Sequence, residues 1–512
     1  MIPVHIAGVG MTRFGKSPQT LVELMCEAAS HALASSKIQD IDALYIAVMN
    51  PEEFTGESNL ASHVVEALDL TGIPAIRVET ASSAGAAAFH AAFQGIASGY
   101  YRNVLVIGGE KMTHLSTSAT TRILAEVIDA QERQCGATMP ALAAMIAETY
   151  RRKYHISPAR LERILCGVAT KNHLNGSRNP YAQFREPISR EKYVAAKLVA
   201  TPLRLYDCAP ITDGAAATLL TAERTDLVVS GIGQGTAPVS LCKRETFTSF
   251  PATQIAAKKA YQMAAIAPRE IDCAEVHDAF TPFEVIGTED LGFFALGKGG
   301  DAVEAGTTSV EGDLPINASG GLKSRGHPVG ASGVAQIVEA VQILRGATEV
   351  KFKREPRRAL TQSIGGLGSN NFVTIVERAR RPLPIQNLWQ PPTATESLPR
   401  TKKNKTKTAI GDEGEIETFT VLYITPDGFL PPLALALIRD RNGSLIMAQG
   451  EDITHLKIGR EVYLRQVAGT YYFTVKSQLQ KVQQAINQLL GRARGQSAKK
   501  KEVVAKPRSY GE

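Results

Sequence analysis

The sequence predicts a layered α/β body over residues 1–380 and a small all-β barrel over residues 411–480. Three observations carry this. Through the first part, short apolar runs alternate with helix-length segments, the pattern of strands covered by helices. Residues 381–410 then break the pattern. They are rich in Pro, Thr and Lys, cannot bury enough apolar surface to order themselves, and read as a linker. Beyond them, short strands are punctuated by Asp427-Gly428 and Asn442-Gly443, which supply turns.

Each element has a local reason. Val4–Gly8 is a short apolar run, and Leu21–Ala34 has apolar residues at helical spacing. Ala43–Val48 is apolar and β-rich, Ser83–Ala97 is a helix of small residues, and Asn103–Gly108 is a buried strand. Residues 27–48 and 258–279 echo each other: a helix, a polar turn, Ile-Asp, then a strand. The offset of about 230 residues is of domain size, whereas a solenoid repeats every ~20–50. It suggests duplication of one α/β half, as residues 1–225 (with an inserted loop region) and 226–380; chance similarity of two helix–strand units is the other reading. In the barrel, strands are expected at Glu417–Ile424, Leu433–Arg439, Ser444–Ala448, Val462–Val467 and Tyr471–Val475. A helix, Leu479–Leu490, and a basic tail expected to be disordered follow.

Composition excludes several classes. Of 512 residues, 44% are hydrophobic and 21% charged, which suits buried cores. No apolar run reaches the ~18 residues that would span a bilayer, and the start lacks a basic and apolar leader. The six cysteines form no CxxC pair, which argues against a zinc ribbon or a disulfide framework and fits a reducing cytoplasm. Ten histidines show no H-x₃-H pattern with nearby carboxylates, so no metal site is expected. The net charge of +7 belongs to the end of the chain: residues 381–512 hold 20 basic and 12 acidic residues, leaving 37 and 38 for residues 1–380. A neutral body argues against a nucleic-acid-binding core, since phosphate affinity needs clustered cations.

Four segments could carry chemistry. In VETASSAG, 78–85, Ser82 and Ser83 precede a helix, where a side chain meets partial positive charge; either caps the helix, or one is a nucleophile. In EVHDAF, 275–280, His277 ends a strand. In GLKSRGHPVGASG, 321–333, His327 lies among Gly321, Gly326, Gly330 and Gly333, a density that signals close backbone approach or unusual dihedrals. TQSIGGLGSNN, 361–371, reads as a Gly-rich loop before the strand Phe372–Val376, and holds Ser363; it matches neither dinucleotide nor P-loop patterns.

These residues, in this order, resemble the thiolase superfamily, above all its sterol-carrier-protein and archaeal branches. The likeness covers residues 1–380 and includes GGEKM (108–112), KNHLNGSRNPYAQFR (171–185), DCAPITDGAAA (207–217) and NASGGLKSRGHPVGASG (317–333). It implies a duplicated five-layer fold and a homodimer or higher oligomer. Residues 414–478 resemble the OB-fold part of DUF35 proteins, without the zinc ribbon those usually carry. An OB-fold can also bind single-stranded nucleic acid, but with a neutral body nucleic acid is not expected as a partner.

Residue by residue, the resemblance puts Ser82 at the position of the nucleophilic cysteine that accepts an acyl group from coenzyme A. It makes His327 the activating base and His277 a second oxyanion ligand. Ser363 stands where a second cysteine moves the α-proton, and Gly365 and Ser332 fall in the loops facing the oxyanion and CoA. No permanent cofactor is implied; the CoA thioester is substrate. Both thiol positions hold hydroxyls. A thiol has a pKa near ~8.5 and readily becomes a thiolate; a serine needs a positioned base throughout attack. Three functions therefore stay open: acyl transfer through Ser82, retro-aldol cleavage of a β-hydroxyacyl-CoA, which needs no thiol, and a non-catalytic acyl-CoA-binding scaffold.

Overall fold

The computed structural model describes residues 1–379, 411–426 and 428–476. The expected linker, the helix at 479–490 and the basic tail lie outside the described residues.

The body is built on a nine-stranded sheet. From one edge to the other its strands are Ala75–Val78, Ala43–Ala47, Asn103–Glu110, Gly214–Thr221, His5–Met11, Leu227–Thr236, Asn370–Arg378, Arg358–Gly365 and Cys273–Glu275. The two halves meet at the seam between His5–Met11 and Leu227–Thr236, where His5 pairs with Val228 and Val229 N–H donates to Val4 O at 2.9 Å. Outward from this seam the pattern repeats. Each first neighbour is antiparallel, each second neighbour is antiparallel to the first, and each third is parallel to the second. The first half alone has a further strand, Ala75–Val78. The echo between residues 27–48 and 258–279 is therefore a repeat in space: each copy joins a covering helix (Leu21–Ala34 or Pro251–Ala264) to the third strand from the seam.

Five layers result. Leu21–Ala34 covers the outer face of the first half, its start fixed by a capping box between Thr20 and Glu23. Pro251–Ala264 covers the outer face of the second. Between the halves lie Ala84–Ala97 and Ser332–Arg345. Asn103–Glu110 and Gly214–Thr221 are buried along their whole length, because helices cover both faces; this is why neither alternates apolar with polar residues. The central helices touch backbone to backbone. A Cβ on Gly85 would lie 2.8 Å from both Gly330 O and Val334 N, and one on Gly333 only 2.4 Å from Ala86 N.

Residues 111–213 add a helical layer over one end of the sheet, with Met139–Lys153 and Pro158–Gly176 as its long helices. Both have a hydroxyl N-cap, Thr138 and Ser157, followed by proline in the first turn.

The barrel strands are Glu413–Leu422, Leu433–Asp440, Leu445–Gly450, Glu461–Val467 and Thr470–Val475. The first pairs with the second and fourth, the second with the third, the third with the fifth in parallel, and the fifth with the fourth, which closes the barrel in OB-fold order. Ile416, Ala436, Ile438, Ala448, Val462 and Phe473 fill its interior. The barrel is joined to the body. Leu422 pairs with Ala200 of the body hairpin Leu198–Ala200 and Leu203–Arg204. Leu433, Leu435, Leu437 and Met447 share one apolar cluster with Ala141, Leu142 and Met145 of Met139–Lys153. Strand Leu433–Asp440 is thus buried on both faces: alanines and Ile438 point into the barrel, and leucines point at the body. Each buried leucine contributes about 1.5–3 kcal/mol.

Two sequence expectations change. TQSI, 361–364, is strand, not loop: Ser363 lies inside Arg358–Gly365, and the turn starts only after it. Ser83 holds the N-cap position of Ala84–Ala97 but makes no capping bond; its hydroxyl lies 2.7 Å from Thr80 O and 2.9 Å from Asn370 O.

The glycine contact between the central helices has no slack. Gly333→Ala is expected to cost about 1–3 kcal/mol through overpacking, read as a lower urea midpoint at unchanged m-value.

Candidate functional site

Ser82 sits in the turn that leads from strand Ala75–Val78 into helix Ala84–Ala97. Ala81 before it adopts a left-handed backbone with φ of 54°, rare for a residue with a side chain. Ser82 Oγ is buried and donates to Ile364 O at 2.8 Å. Gly365 follows that carbonyl, and a Cβ there would lie 2.5 Å from Ser83 Oγ. The serine turn thus packs directly on the end of strand Arg358–Gly365, and glycine makes the approach possible. Ser363, one residue before Ile364, is buried and its hydroxyl finds no partner within the described residues.

His327 lies in the loop between the short helix Gly321–Arg325 and Ser332–Arg345. Gly326 before it has φ of 115°, a conformation that favours glycine. Three hydrogen bonds hold the loop: His327 N–H donates to Thr212 Oγ1 at 3.0 Å, Gly330 N–H donates to the Glu110 carboxylate at 2.9 Å, and Ser332 Oγ lies 2.9 Å from Pro328 O. His327 Nδ1 is 2.7 Å from Ser332 Oγ. With the Ser332 proton directed at Pro328 O, the one acceptor here that cannot donate, Nδ1 would carry the ring proton and donate it to Ser332. This leaves the Nε2 lone pair free.

His277 follows strand Cys273–Glu275, and its N–H donates to Gln362 Oε1 at 3.3 Å. Its ring meets that of His327 edge to face, with centroids 5.1 Å apart and planes at 89°. His277 Nδ1 is buried with no partner among the described residues. The neighbouring Asp278 does not polarise this ring; its carboxylate accepts Leu322 N–H at 2.7 Å and the Asn172 amide at 2.7 Å, fixing backbone. Burial raises Asp278 to about 7.

Both imidazoles are neutral at pH 7. Burial, then the charge of Arg325, lowers His327 to about 3. Burial, His327 and Arg325 lower His277 well below the ordinary range. Arg325 is fully buried beneath the site, its guanidinium 5.7 Å from the Phe14 ring centre. Burial lifts Glu275 to about 7 and raises Glu339, while Arg325 acts against both shifts.

Strand Arg358–Gly365 therefore gathers three of the four expected residues: Gln362 holds His277, Ile364 O holds Ser82, and Ser363 lies between; His327 joins them through its ring contact with His277. Ser332 and Gly365, expected in ligand-facing loops, have a structural part in any case: one sets a tautomer and the other permits a close approach. Sequence reasoning did not assign Glu110, Thr212, Gln362 or Asp213. Asp213 accepts five hydrogen bonds, from Ser17 N–H, Lys111 Nζ, Met112 N–H, and both the N–H and hydroxyl of Thr113; it anchors the segment carrying Thr212. A signal for Glu110 was present, since a carboxylate follows the unbroken apolar and glycine run of residues 104–109.

Comparison with known proteins shows the family. Residues 4–224 match the family model of the thiolase N-terminal domain, and residues 233–378 that of the thiolase C-terminal domain-like family. An acetyl-CoA acetyltransferase of Methanothermobacter thermautotrophicus is 37% identical over 388 residues, covering 74% of this chain and 100% of that one. A monomeric SCP2-thiolase like protein type 1 from Mycobacterium smegmatis has a similar structure, with a TM-score of 0.72 and 19% identity over 93% of this chain and 99% of that one. The Ltp2-ChsH2(DUF35) aldolase matches with a TM-score of 0.63 and 23% identity, covering 74% and 98%.

Ser332→Ala removes the acceptor that fixes the His327 tautomer. A lost hydrogen bond of about 0.5–1.5 kcal/mol corresponds to a roughly 2–12-fold rise in the Nε2–H form, read by ¹⁵N NMR of the imidazole.

Proposed function

Because the chain belongs to the thiolase superfamily, with a DUF35-like barrel fused to its body, we propose that it is an acyltransferase acting on acyl-CoA thioesters, with Ser82 as the acyl acceptor. The observation that carries this is the pair of neutral imidazoles meeting at 5.1 Å, one with a free Nε2 fixed by Ser332 and the other with an unpartnered Nδ1. Ser82 turns from Ile364 O and gives its proton to His327 Nε2. Its oxygen attacks the thioester carbonyl carbon, and charge collects on the former carbonyl oxygen, which His277 stabilises. The carbon–sulfur bond breaks, and the departing CoA sulfur takes the proton back from His327. An oxoester on Ser82 and free CoA remain, and the acyl group passes to a second nucleophile by the reverse sequence. Low imidazole pKa values keep both rings unprotonated at neutral pH but make them weak bases, so proton transfer from Ser82 has to accompany attack on the thioester.

One observation favours a second reading. In the resting site the Ser82 hydroxyl is engaged by Ile364 O and not by an imidazole. Retro-aldol cleavage of a β-hydroxyacyl-CoA would use the same imidazoles without acylation. One takes the β-hydroxyl proton, the Cα–Cβ bond breaks, and the other steadies the enolate that is then protonated at Cα. The products are an aldehyde or ketone and a shortened acyl-CoA.

Incubation with a panel of acyl-CoA and β-hydroxyacyl-CoA substrates separates the two. Acyl transfer gives a mass increase on the Ser82 peptide and free CoA, both lost in Ser82→Ala. Retro-aldol cleavage gives a carbonyl product with no free thiol and survives Ser82→Ala. His327→Ala is expected to lower either rate by about 10²–10⁴-fold. If neither variant nor wild type yields a product across the panel, the catalytic reading fails.

The histidine environment sets the pH profile. With His327 at about 3, its unprotonated form already dominates at pH 5. The kcat/KM of the wild type is therefore expected to stay flat from pH 7.5 down to pH 5, whereas a base near 6.5 would lose most of its activity over that range.

A further inference from the structure

Arg244 is a buried cation that the chemistry above does not use. It follows the 3₁₀ turn Leu241–Lys243 and is 9% exposed. Its Nη1 donates to Leu367 O at 2.6 Å, and its Nε donates to Pro238 O at 3.0 Å. Burial lowers its pKa to about 10, so it keeps its proton at neutral pH. Leu367 lies in the turn Gly365–Ser369, closed by Ser369 N–H donating to Gly365 O at 3.0 Å. The same turn backs the Ser82–Ser83 segment through Gly365 and continues the strand whose Ile364 O receives the Ser82 proton. Gly366 and Gly368 in it have φ of 58° and 93°, so its backbone is inherently adaptable and needs external restraint.

The segment carrying Arg244 is in turn held by the barrel. Leu241 and Met447 lie in one apolar cluster, which also contains Ile364 and Leu367. Cys135 Sγ lies 3.2 Å from Met447 O, and the Cys242 thiol is also bonded to the Met447 backbone. Glu132 ties the two body segments together beneath that strand, accepting from Ser240 Oγ at 2.8 Å and from Cys242 N–H at 3.3 Å. A continuous chain of contacts thus runs from barrel strand Leu445–Gly450 through Leu241–Lys243 and Arg244 to the Leu367 carbonyl.

We propose that Arg244 is a positioning residue that fixes the Gly365–Ser369 turn against Ser82, and that the barrel, by clamping the segment before Arg244, is a working part of the site. This rests on the reading of Ser82 and its surroundings as the reaction centre, but its first test does not require turnover.

Amide exchange in the full-length chain measures local opening directly. In Arg244→Met, and in Met447→Asp, which places a charge at the barrel–body contact, exchange across residues 364–370 is expected to rise about tenfold or more. Strand Asn103–Glu110 should keep wild-type protection in both. Arg244→Lys retains one donor for Leu367 O and is expected to show about a threefold rise, which keeps the test open if the Met variant does not fold. The second test is kinetic: where the wild type turns over an acyl-CoA, Arg244→Met lowers kcat about tenfold or more with KM within about twofold, and Arg244→Lys restores part of kcat. Unchanged exchange at 364–370 in Arg244→Met, or in Arg244→Lys should the Met variant not fold, overturns the role of Arg244. A protected turn in Met447→Asp, even with the barrel strand Glu461–Val467 deprotected, overturns the role of the barrel. Absence of wild-type turnover beside the expected exchange pattern removes the acyl-CoA reading alone.

Discussion

The whole site depends on two helices meeting without side chains between them. Ala84–Ala97 and Ser332–Arg345 enter the central layer from opposite halves of a duplicated fold and touch at Gly85, Gly330 and Gly333. Ser82 precedes one helix by two residues and His327 the other by five. The separation of hydroxyl and imidazole loops is therefore set by a backbone contact that no rotamer can absorb. Interiors pack as densely as organic crystals, so such a contact transmits position faithfully. Glu110 adds a second fixed point by joining the Gly330 and Met49 amides across the same layer.

Electrostatics completes what packing begins. The site keeps its imidazoles neutral by burying them beside Arg325, a cation with no hydrogen-bond partner among the described residues. Removing charges from water is costly, and here the cost falls on the protonated forms of the two rings. Asp278, which by its place beside His277 could have formed a triad, is instead consumed by the Leu322 N–H and the Asn172 side-chain amide. What the site holds in its resting state is two uncharged imidazoles in edge-to-face contact.

Much of this was legible in the residues. Alternating apolar runs and helices, the echo between 27–48 and 258–279, and the strand-turn pattern after residue 411 led to the right layers and to a closed barrel. His277 and His327 were marked by their loops. Ser363 was misplaced because the glycines after it looked like one long turn, whereas its strand continues to Gly365. Ser83 looked like a cap because hydroxyls before helices usually cap them; a local acceptor, Thr80 O, and a tertiary one, Asn370 O, won instead. The anchoring by Asp213 and the Arg244 contact lie across separations of 101 and 123 residues, which periodicity cannot see. One signal went unread: LALAL at 433–437 is apolar at every position, and a barrel strand with no polar face must have its outside covered too.

That doubly apolar strand has a consequence for synthesis. The helix Met139–Lys153 leaves the ribosome with Leu142 and Met145 bare, and the leucines that cover them emerge roughly 290 residues later. At about 5–20 residues per second this leaves a greasy face on the nascent chain for on the order of 15–60 seconds. A protein assembled in this order gains from slow folding of its central region or from a chaperone that shields that helix, and a separately made barrel would lengthen the wait.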